Sequence, residues 1–155
     1  MKKVVLITGA STGFGKLTTK KFQAEGWNVV ATMRSPQKEN ELNQLDNVLV
    51  TALDVTKPET IANAVKEATD KFGTIDVLIN NAGYGTMGPM EVGSDEQIRY
   101  QMEVNFFGLI NVTKRVLPIM RVQKKGTIIN ISSMGGRTTF PYLSLYMPLN
   151  LQLKD

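Results

Sequence analysis

The segment TGASTGFG, residues 8–15, decides which architecture the rest of this sequence supports. An apolar run at residues 4–7 comes directly before it, and a helical pattern from about residue 14 to residue 25 follows and ends at Gly26. Glycines permit a tight turn between a strand and a helix, and they let backbone N–H groups approach an anion at the positive end of that helix. This context predicts a loop that binds a dinucleotide pyrophosphate, with a tight turn that binds nothing as the alternative.

Strand-like and helical patterns alternate along the chain. Several of the strand-like runs are continuous in Val, Ile and Leu, as expected for parallel strands that are covered on both faces. Strands are predicted at residues 4–8, 29–32, 48–53, 77–80 and 127–131. Strands that alternate with helices indicate right-handed βαβ units and an α/β fold with an open, doubly wound parallel sheet.

Two sequence patterns predict where later helices begin. Thr56 to Glu59 reads as a capping box that opens a helix, which Gly73 closes. Ser94 to Gln97 reads as a second capping box. The helix that it opens is predicted to be long, with six apolar residues at helical spacing: Ile98, Met102, Phe106, Leu109, Ile110 and Val116.

The composition narrows the chemistry. The 155 residues include no cysteine and no histidine, which excludes thiolate nucleophiles, zinc sites built on Cys or His, and triads with an imidazole base. A hydrophobic fraction of 42% argues against disorder. Any reaction must therefore use Ser, Tyr, Asn, Lys or carboxylate side chains, or a bound cofactor. No metal site is predicted.

The charge pattern bears on partners and location. The net charge is +4, but the basic residues lie in small groups rather than in one stripe with interleaved aromatics, so no nucleic-acid partner is expected. No apolar run approaches the roughly 20 residues that cross a bilayer. The opening MKKVVLITGA has too short an apolar run for a signal peptide. A cytoplasmic protein without a membrane partner is expected.

The end of the second predicted strand bears on the choice of cofactor. An acidic residue there would accept hydrogen bonds from the ribose 2′-hydroxyl of NAD, whereas an arginine accommodates the 2′-phosphate of NADP. The chain has no acid at residues 31–35 and places Arg34 there. Its planar cationic fork suits a phosphate, which favours NADP(H) over NAD(H). An ordinary exposed charge is the alternative.

Six motifs in order now suggest a family. They are TGASTGFG (8–15), LDV (53–55), NNAG (80–83), VNFFG (104–108), NISS (130–133) and Tyr146. Together they resemble the short-chain dehydrogenase/reductases, in particular their single-domain NADP-dependent branch, from residue 3 to Tyr146. Residues 81–120 resemble members that act on steroid-, retinoid- or other ketone-type substrates. The resemblance implies a Rossmann fold with three αβα layers and a small carbonyl or alcohol substrate.

The resemblance also implies a set of cofactor-binding residues. Gly9, Ser11, Gly13, Phe14 and Gly15 would line the pyrophosphate and the adenosine ribose. Asp54 and Val55 would meet the adenine, and Asn81, Ala82 and Gly83 would lie beside the ribose and the nicotinamide.

Three residues match the catalytic positions of that family. Tyr146 would protonate the alkoxide that forms when a hydride reaches a carbonyl carbon, and Ser133 would donate a hydrogen bond to the same oxygen. Asn105 would hold a water in a proton relay. Taken singly, Tyr146 reads as a packing residue and Ser133 as a strand-end hydroxyl, but their spacing of thirteen positions matches the family.

Residue 150 departs from the family pattern. A free tyrosine has a pKa near ~10, and in the family a lysine four residues further on lowers it. This chain has Asn150 in that slot, and losing a shift of roughly 2–3 pKa units would slow the chemistry by about 10²–10³. Pro148 also disfavours helical backbone at Met147. The alternative function is therefore a catalytically silent remnant that retains only nucleotide binding or self-association.

The last nine residues, MPLNLQLKD, suggest a reason for this departure. They can be back-translated so that one added C yields His-Ala-Thr-Lys-Phe-Ala-Val-Glu-Gly, which restores a lysine to the missing slot. The sequence thus predicts an incomplete nucleotide-binding domain at residues 1–146 and an out-of-frame tail at 147–155. The sheet would then be incomplete at its C-terminal edge. The bare strand at 127–131 would favour self-association.

Overall fold

The computed structural model describes residues 2–133 of the chain. The predictions that concern Tyr146, Asn150 and the tail at 147–155 lie outside the described residues.

The described residues form one parallel sheet of five strands, which confirms the predicted doubly wound α/β fold. The strands are β1 (Val4–Ile7), β2 (Asn28–Met33), β3 (Val48–Ala52), β4 (Val77–Asn80) and β5 (Thr127–Asn130). Their order across the sheet is β3-β2-β1-β4-β5, and each neighbouring pair runs parallel. All four residues of the central strand β1 are fully buried, as the continuous apolar run predicts.

Helices cover both faces of this sheet. The α-helices of the described residues are α1 (Gly13–Ala24), α2 (Pro58–Phe72), α3 (Asp95–Met102) and α4 (Gly108–Gln123), of which α1, α2 and α4 pack on the sheet. On one face, Val4 and Leu6 pack with the buried residues of α2 and α4. On the other face, Val5 and Ile7 pack in a cluster against which Phe22 of α1 lies. The two clusters on opposite faces of β1 give the three expected layers.

The two predicted capping boxes have different outcomes. At Ser94 both halves form, because the Ser94 hydroxyl accepts from the Gln97 N–H and the Gln97 side chain accepts from the Ser94 N–H. The prediction at Thr56 is wrong: α2 begins at Pro58 and its N-cap is Lys57. The Thr56 hydroxyl instead donates to the Asp54 carboxylate over 2.8 Å, which competes with any capping role.

The predicted long helix contains a π-helical segment, Glu103–Phe107, between α3 and α4. The N–H of Gly108 bonds the carbonyl of Glu103, five residues back, so this turn holds an extra residue. The buried face of α4 then follows a spacing of four, at Gly108, Val112, Val116 and Met120. Of the six predicted apolar positions only Val116 is buried. The extra residue rotates the helix face for the positions that follow it, such as Leu109 and Ile110.

Gly108 lets α4 approach the loop that follows β3. A Cβ at Gly108 would lie 2.6 Å from Cγ2 and 2.7 Å from Cβ of Val55, well inside normal contact distance. Val55 is buried and its branched side chain is stiff at χ1, so it cannot move aside cheaply. The LDV loop and the start of α4 are therefore packed at a distance that only glycine allows.

This contact predicts that the effect of Gly108→Ala on the free energy of unfolding depends on the side chain at position 55. Gly108→Ala should lower the free energy of unfolding by about 1–3 kcal/mol, because the added methyl overlaps Val55. In a Val55→Gly background, which removes both Cγ2 and Cβ of residue 55, the same change should be neutral or raise it by up to about 1 kcal/mol, the difference in helix propensity between alanine and glycine. Chemical denaturation of the four proteins measures the cycle. An equal effect in both backgrounds would contradict the contact.

Candidate active site

The candidate site lies where the carboxyl ends of β1 and β4 meet. The chain leaves β1 toward α1 on one face of the sheet, while the segment after β4 leads to helices that pack on the other face. In open parallel sheets such a switch point opens a crevice at the carboxyl ends of the strands, where ligands bind.

Two glycines give the loop after β1 its shape. Gly9 has φ of 68°, in the left-handed region, and a Cβ there would lie 2.9 Å from Cα of Ala82. A Cβ at Gly15 would lie 2.3 Å from the carbonyl oxygen of Gly9 and 2.6 Å from Nδ2 of Asn81. Both obstacles are backbone or firmly held atoms, so the tight fold of this loop requires glycine at both positions.

Asn81 fastens this loop to the end of β4. Its side-chain Nδ2 donates to the carbonyl oxygens of Thr8 and Gly9, over 2.9 and 3.1 Å. The backbone N–H groups of Asn81 and Ala82 both donate to the Thr8 hydroxyl, each over 3.0 Å. Four hydrogen bonds thus join two predicted binding segments that lie more than 70 positions apart in the chain.

The start of α1 is open to an anion. The N-cap Thr12 makes no side-chain capping bond, and the first turn of α1 contains no acidic residue. Ser11, Gly13 and Phe14 are exposed beside it. Because the first N–H groups of a helix have no partner within the helix, this arrangement suits a phosphate.

Arg34 lies just beyond β2 on the same edge of the sheet. The N–H of Ala10, in the glycine loop, donates to the carbonyl of Thr32 over 2.9 Å, so the loop and the end of β2 are in contact. Arg34 is exposed, and the structure pairs it with no carboxylate within residues 2–133. Its guanidinium is thus available to a ligand.

The connection from β2 to β3 contains a buried carboxylate that the sequence analysis did not single out. Glu39 is only 5% exposed, and it receives hydrogen bonds from Nζ of Lys16 and from the backbone N–H groups of Glu41 and Leu42. The Leu42 N–H, followed by Lys16 and the Glu41 N–H, holds the pKa of Glu39 below its usual value, against the opposing effect of burial. The same carboxylate raises the pKa of Lys16.

The residues predicted to meet the adenine are held by local contacts. Oδ1 of Asp54 accepts hydrogen bonds from the N–H and the hydroxyl of Thr56, over 3.0 and 2.8 Å. Val55 is buried against Gly108. This loop is therefore fixed before any ligand arrives.

The π-helical segment presents Asn105 to the chain that follows β4. Its Nδ2 donates to the carbonyl of Tyr84 over 2.7 Å, and its Oδ1 accepts from the Tyr84 N–H over 3.0 Å. A Cβ at Gly83 would lie 3.4 Å from the same Oδ1. Asn105, which the resemblance assigns to a relay water, therefore also binds the backbone of Tyr84, directly after the NNAG motif, through two hydrogen bonds. The sequence did not predict this contact.

Ser133 follows β5 at the same carboxyl end of the sheet. Asn80 and Asn130 are register partners, and the Ile131 N–H donates to the carbonyl of Asn80 over 2.9 Å. Nδ2 of Asn80 also donates to Oδ1 of Asn130 and to the hydroxyl of Thr113 in α4. These polar contacts place the NISS segment beside the NNAG segment, and thereby bring Ser133 to the carboxyl end of the sheet, where Gly83 follows β4.

Within residues 2–133, no helix combines the length and the apolar character that crossing a membrane requires.

Comparison with known proteins agrees with this geometry. The family model described as short chain dehydrogenase matches residues 3–147. The chain is 42% identical over 144 residues to a 3-ketodihydrosphingosine reductase of Bacteroides thetaiotaomicron, covering 93% of this chain and 52% of that protein. It is 43% identical over 153 residues to the uncharacterized oxidoreductase YusZ of Bacillus subtilis, covering 94% and 54%. The chain spans about half the length of the curated relatives it matches.

Solved structures give the same result for the fold. A short-chain dehydrogenase from Streptomyces avermitilis superposes with a TM-score of 0.92 at 34% identity, covering 99% of this chain and 57% of the other. ElxO with NADP bound superposes with a TM-score of 0.91 at 33% identity, covering 99% and 64%.

The environment of Glu39 predicts a specific dependence of stability on pH. Because its folded-state pKa lies below the usual 4.5, the stabilisation it provides is fully present above that pH and is lost as the pH falls through the lowered value. The free energy of unfolding of Glu39→Gln should therefore differ most from that of wild type above pH 4.5, and this difference should shrink at lower pH. Urea denaturation at a series of pH values measures it. The exposed control Glu67→Gln should stay within about 0.5 kcal/mol of wild type, and a Glu39→Gln difference that is constant with pH would contradict the assignment.

Proposed function

The chain belongs to the short-chain dehydrogenase family, and on that premise we propose an NADP(H)-dependent oxidoreductase site that interconverts a ketone or aldehyde and the matching alcohol. The observation that carries this proposal is the Asn81 contact, which joins the glycine loop to the end of β4. It holds the predicted pyrophosphate loop next to residues 81–83, which are predicted to lie beside the nicotinamide.

The chain's own residues fit such a cofactor. The uncapped start of α1 would take the pyrophosphate, and Gly15 lets the glycine loop fold tightly against Asn81 beside that helix start. Asp54 and Val55 would flank the adenine, and Asn81 to Gly83 would lie beneath the ribose and the nicotinamide. Arg34, which no described carboxylate neutralises, would bind the 2′-phosphate. The NADP bound to the similar protein ElxO supports this preference.

When bound, the nicotinamide would supply or accept the hydride. For reduction of a carbonyl, Ser133 would donate a hydrogen bond to the carbonyl oxygen, and Tyr146 would transfer its phenolic proton to that oxygen as the alcohol forms. Asn105 would hold the Tyr84 backbone in place through its amide and would contribute to the return of the proton through a water.

A ketone on an apolar body is the substrate class we favour. The similarity to a 3-ketodihydrosphingosine reductase supports it. Tyr84, whose backbone Asn105 holds, and Met87, three residues later, are large apolar residues that are 39% and 74% exposed. A cytoplasmic location and self-association through β5 are also part of the proposal. Ile129 and Ile131 are exposed at that strand, which within the described residues pairs with β4 alone.

The second candidate function is nucleotide binding without turnover. It is favoured by Asn150, a neutral amide in the slot where the family has the lysine that lowers the tyrosine pKa. The out-of-frame origin of residues 147–155 would account for it, and sequencing the source gene tests that origin.

Arg34 gives the test of the cofactor preference. Arg34→Ala should weaken NADPH binding by about 10–100-fold, since a hydrogen bond to a charged group contributes about 1.5–3 kcal/mol. NADH binding should change by less than about twofold, because NADH lacks the 2′-phosphate. Titration followed by nucleotide fluorescence gives both constants. Lys38→Ala, which removes an exposed cation from the same connection, is the matched control. Equal weakening of both nucleotides by Arg34→Ala would refute the assigned role.

Turnover separates the two candidate functions. NADPH oxidation with a panel of ketones and aldehydes should be at least about 10²–10³ slower for the 155-residue chain than for a version whose gene has one base restored after the Tyr146 codon. Tyr146→Phe in the restored version should abolish its activity. Asn150→Lys in the 155-residue chain isolates the contribution of the lysine. Comparable turnover by the unaltered and restored chains would overturn the second candidate.

A further inference from the structure

We propose that Glu39 is a positioning residue for cofactor selectivity, because its ion pair with Lys16 fixes the connection that carries Arg34 against the pyrophosphate-binding helix. This inference rests on the proposed NADP(H) function, and it assigns to that site a residue that contacts no cofactor.

The ion pair joins two separate binding elements. Lys16 is the fourth residue of α1, directly after the glycine loop, and its Nζ lies 3.0 and 3.1 Å from the two carboxylate oxygens of Glu39. Glu39 lies five positions after Arg34 in the connection between β2 and β3. The contact therefore spans from the helix whose start would hold the pyrophosphate to the segment whose arginine would hold the 2′-phosphate.

The rest of the connection is built around the same carboxylate. Glu39 accepts from the N–H groups of Glu41 and Leu42, each over 2.9 Å, and thereby orders the turn that begins at Leu42. Leu42 is fully buried in the core cluster beside β1 and β2. Met33, at the end of β2, is buried in the same cluster. The core thus anchors the chain at Met33 and at Leu42, and Glu39 anchors the span between them.

The charges around this pair distinguish Arg34 from Lys16 and Lys20. Lys16 also contacts Glu41 over 3.1 Å, and Lys20 pairs with Glu41 as well. Both lysines are therefore neutralised, whereas Arg34 has no carboxylate partner among residues 2–133. The network thus leaves Arg34, directly after β2, available to a phosphate.

A purely stabilising role is the weaker explanation of this network. Taking two charges out of water offsets much of the free energy that the pair returns, so the pair is weak evidence for a role in stability alone. What a buried, multiply bonded charge does provide is a defined geometry. Here the geometry concerns the distance between the start of α1 and Arg34, which a dinucleotide with a 2′-phosphate must match at both ends.

Two effects of removing Glu39 have opposite signs, which makes the inference testable. If Glu39 positions Arg34, its loss weakens NADPH binding while NADH binding is retained. If Glu39 acts only by neutralising Lys16, its loss frees a cation near the pyrophosphate, and both nucleotides bind more tightly.

The experiment measures dissociation constants for NADPH and NADH by nucleotide fluorescence on the full chain. Glu39→Gln keeps the shape of the side chain and should lower the preference for NADPH by about tenfold, with NADH changed by less than about twofold. Lys16→Met, which leaves the two backbone bonds to Glu39, should have the same effect, and Lys16→Arg should restore the preference. The matched control is Glu41→Gln, which removes a 54% exposed partner of the same lysines and should leave the preference within about twofold.

Each result decides between the alternatives. An unchanged preference in both Glu39→Gln and Lys16→Met, in a chain that binds NADPH selectively, would overturn this inference alone. Tighter binding of both nucleotides would overturn it in favour of charge release. A wild-type chain that binds neither nucleotide, or binds both equally, would overturn the proposed cofactor preference together with this inference. Circular dichroism of each variant confirms the fold, and if Glu39→Gln does not fold, Lys16→Met decides the outcome.

Discussion

The site depends on a pair of hydrogen bonds from one amide group. Nδ2 of Asn81 reaches the carbonyls of Thr8 and Gly9, and these carbonyls belong to the turn in which the chain leaves the central strand. Carbonyls in so tight a turn have no ladder partner, and an unpaired buried acceptor costs about 1–3 kcal/mol. The amide satisfies them and at the same time brings the end of β4 against the glycine loop. Because Gly15 must then leave room for the same Nδ2, the glycine motif and the asparagine motif are one structural unit.

A second constraint acts on the opposite side of the crevice. The π-helical segment between α3 and α4 turns Asn105 toward the chain after β4, and Gly108 at its end lets α4 approach Val55. One irregular turn thus positions a predicted catalytic residue and packs the predicted adenine loop. π-Helical turns are rare departures from regular helix geometry, and they occur frequently at functional sites. The placement of this one agrees with that rule.

Much of this architecture follows from the sequence, because it depends on local patterns. Continuous apolar runs predict the parallel strands, and the glycine motif predicts the turn after β1. The predictions failed where a competing contact decided the outcome. Thr56 has the right spacing for a cap, but its hydroxyl bonds Asp54, and Pro58 begins the helix. The apolar spacing after Ser94 assumed a regular helix, and an inserted residue rotated its face. Glu39 gave no signal, since its partners Lys16 and Leu42 come from different elements and an isolated acid in a loop looks exposed. The family motifs identify Asn105 and Ser133, whereas the hydrogen bonds between Asn105 and the Tyr84 backbone are visible only in the structure.

The central position of β1 also bears on how this protein is made. Its neighbour β2 follows within about 25 residues, but its other neighbour, β4, begins only at Val77. During synthesis at about 5–20 residues per second, the first strand leaves the ribosome several seconds before the strand that must lie beside it. Contacts between distant parts of a chain form slowly, since the intervening loop must close first. The nucleotide crevice is therefore absent from the nascent chain until the NNAG segment has emerged, and a nucleotide can begin to stabilise the fold only after that moment.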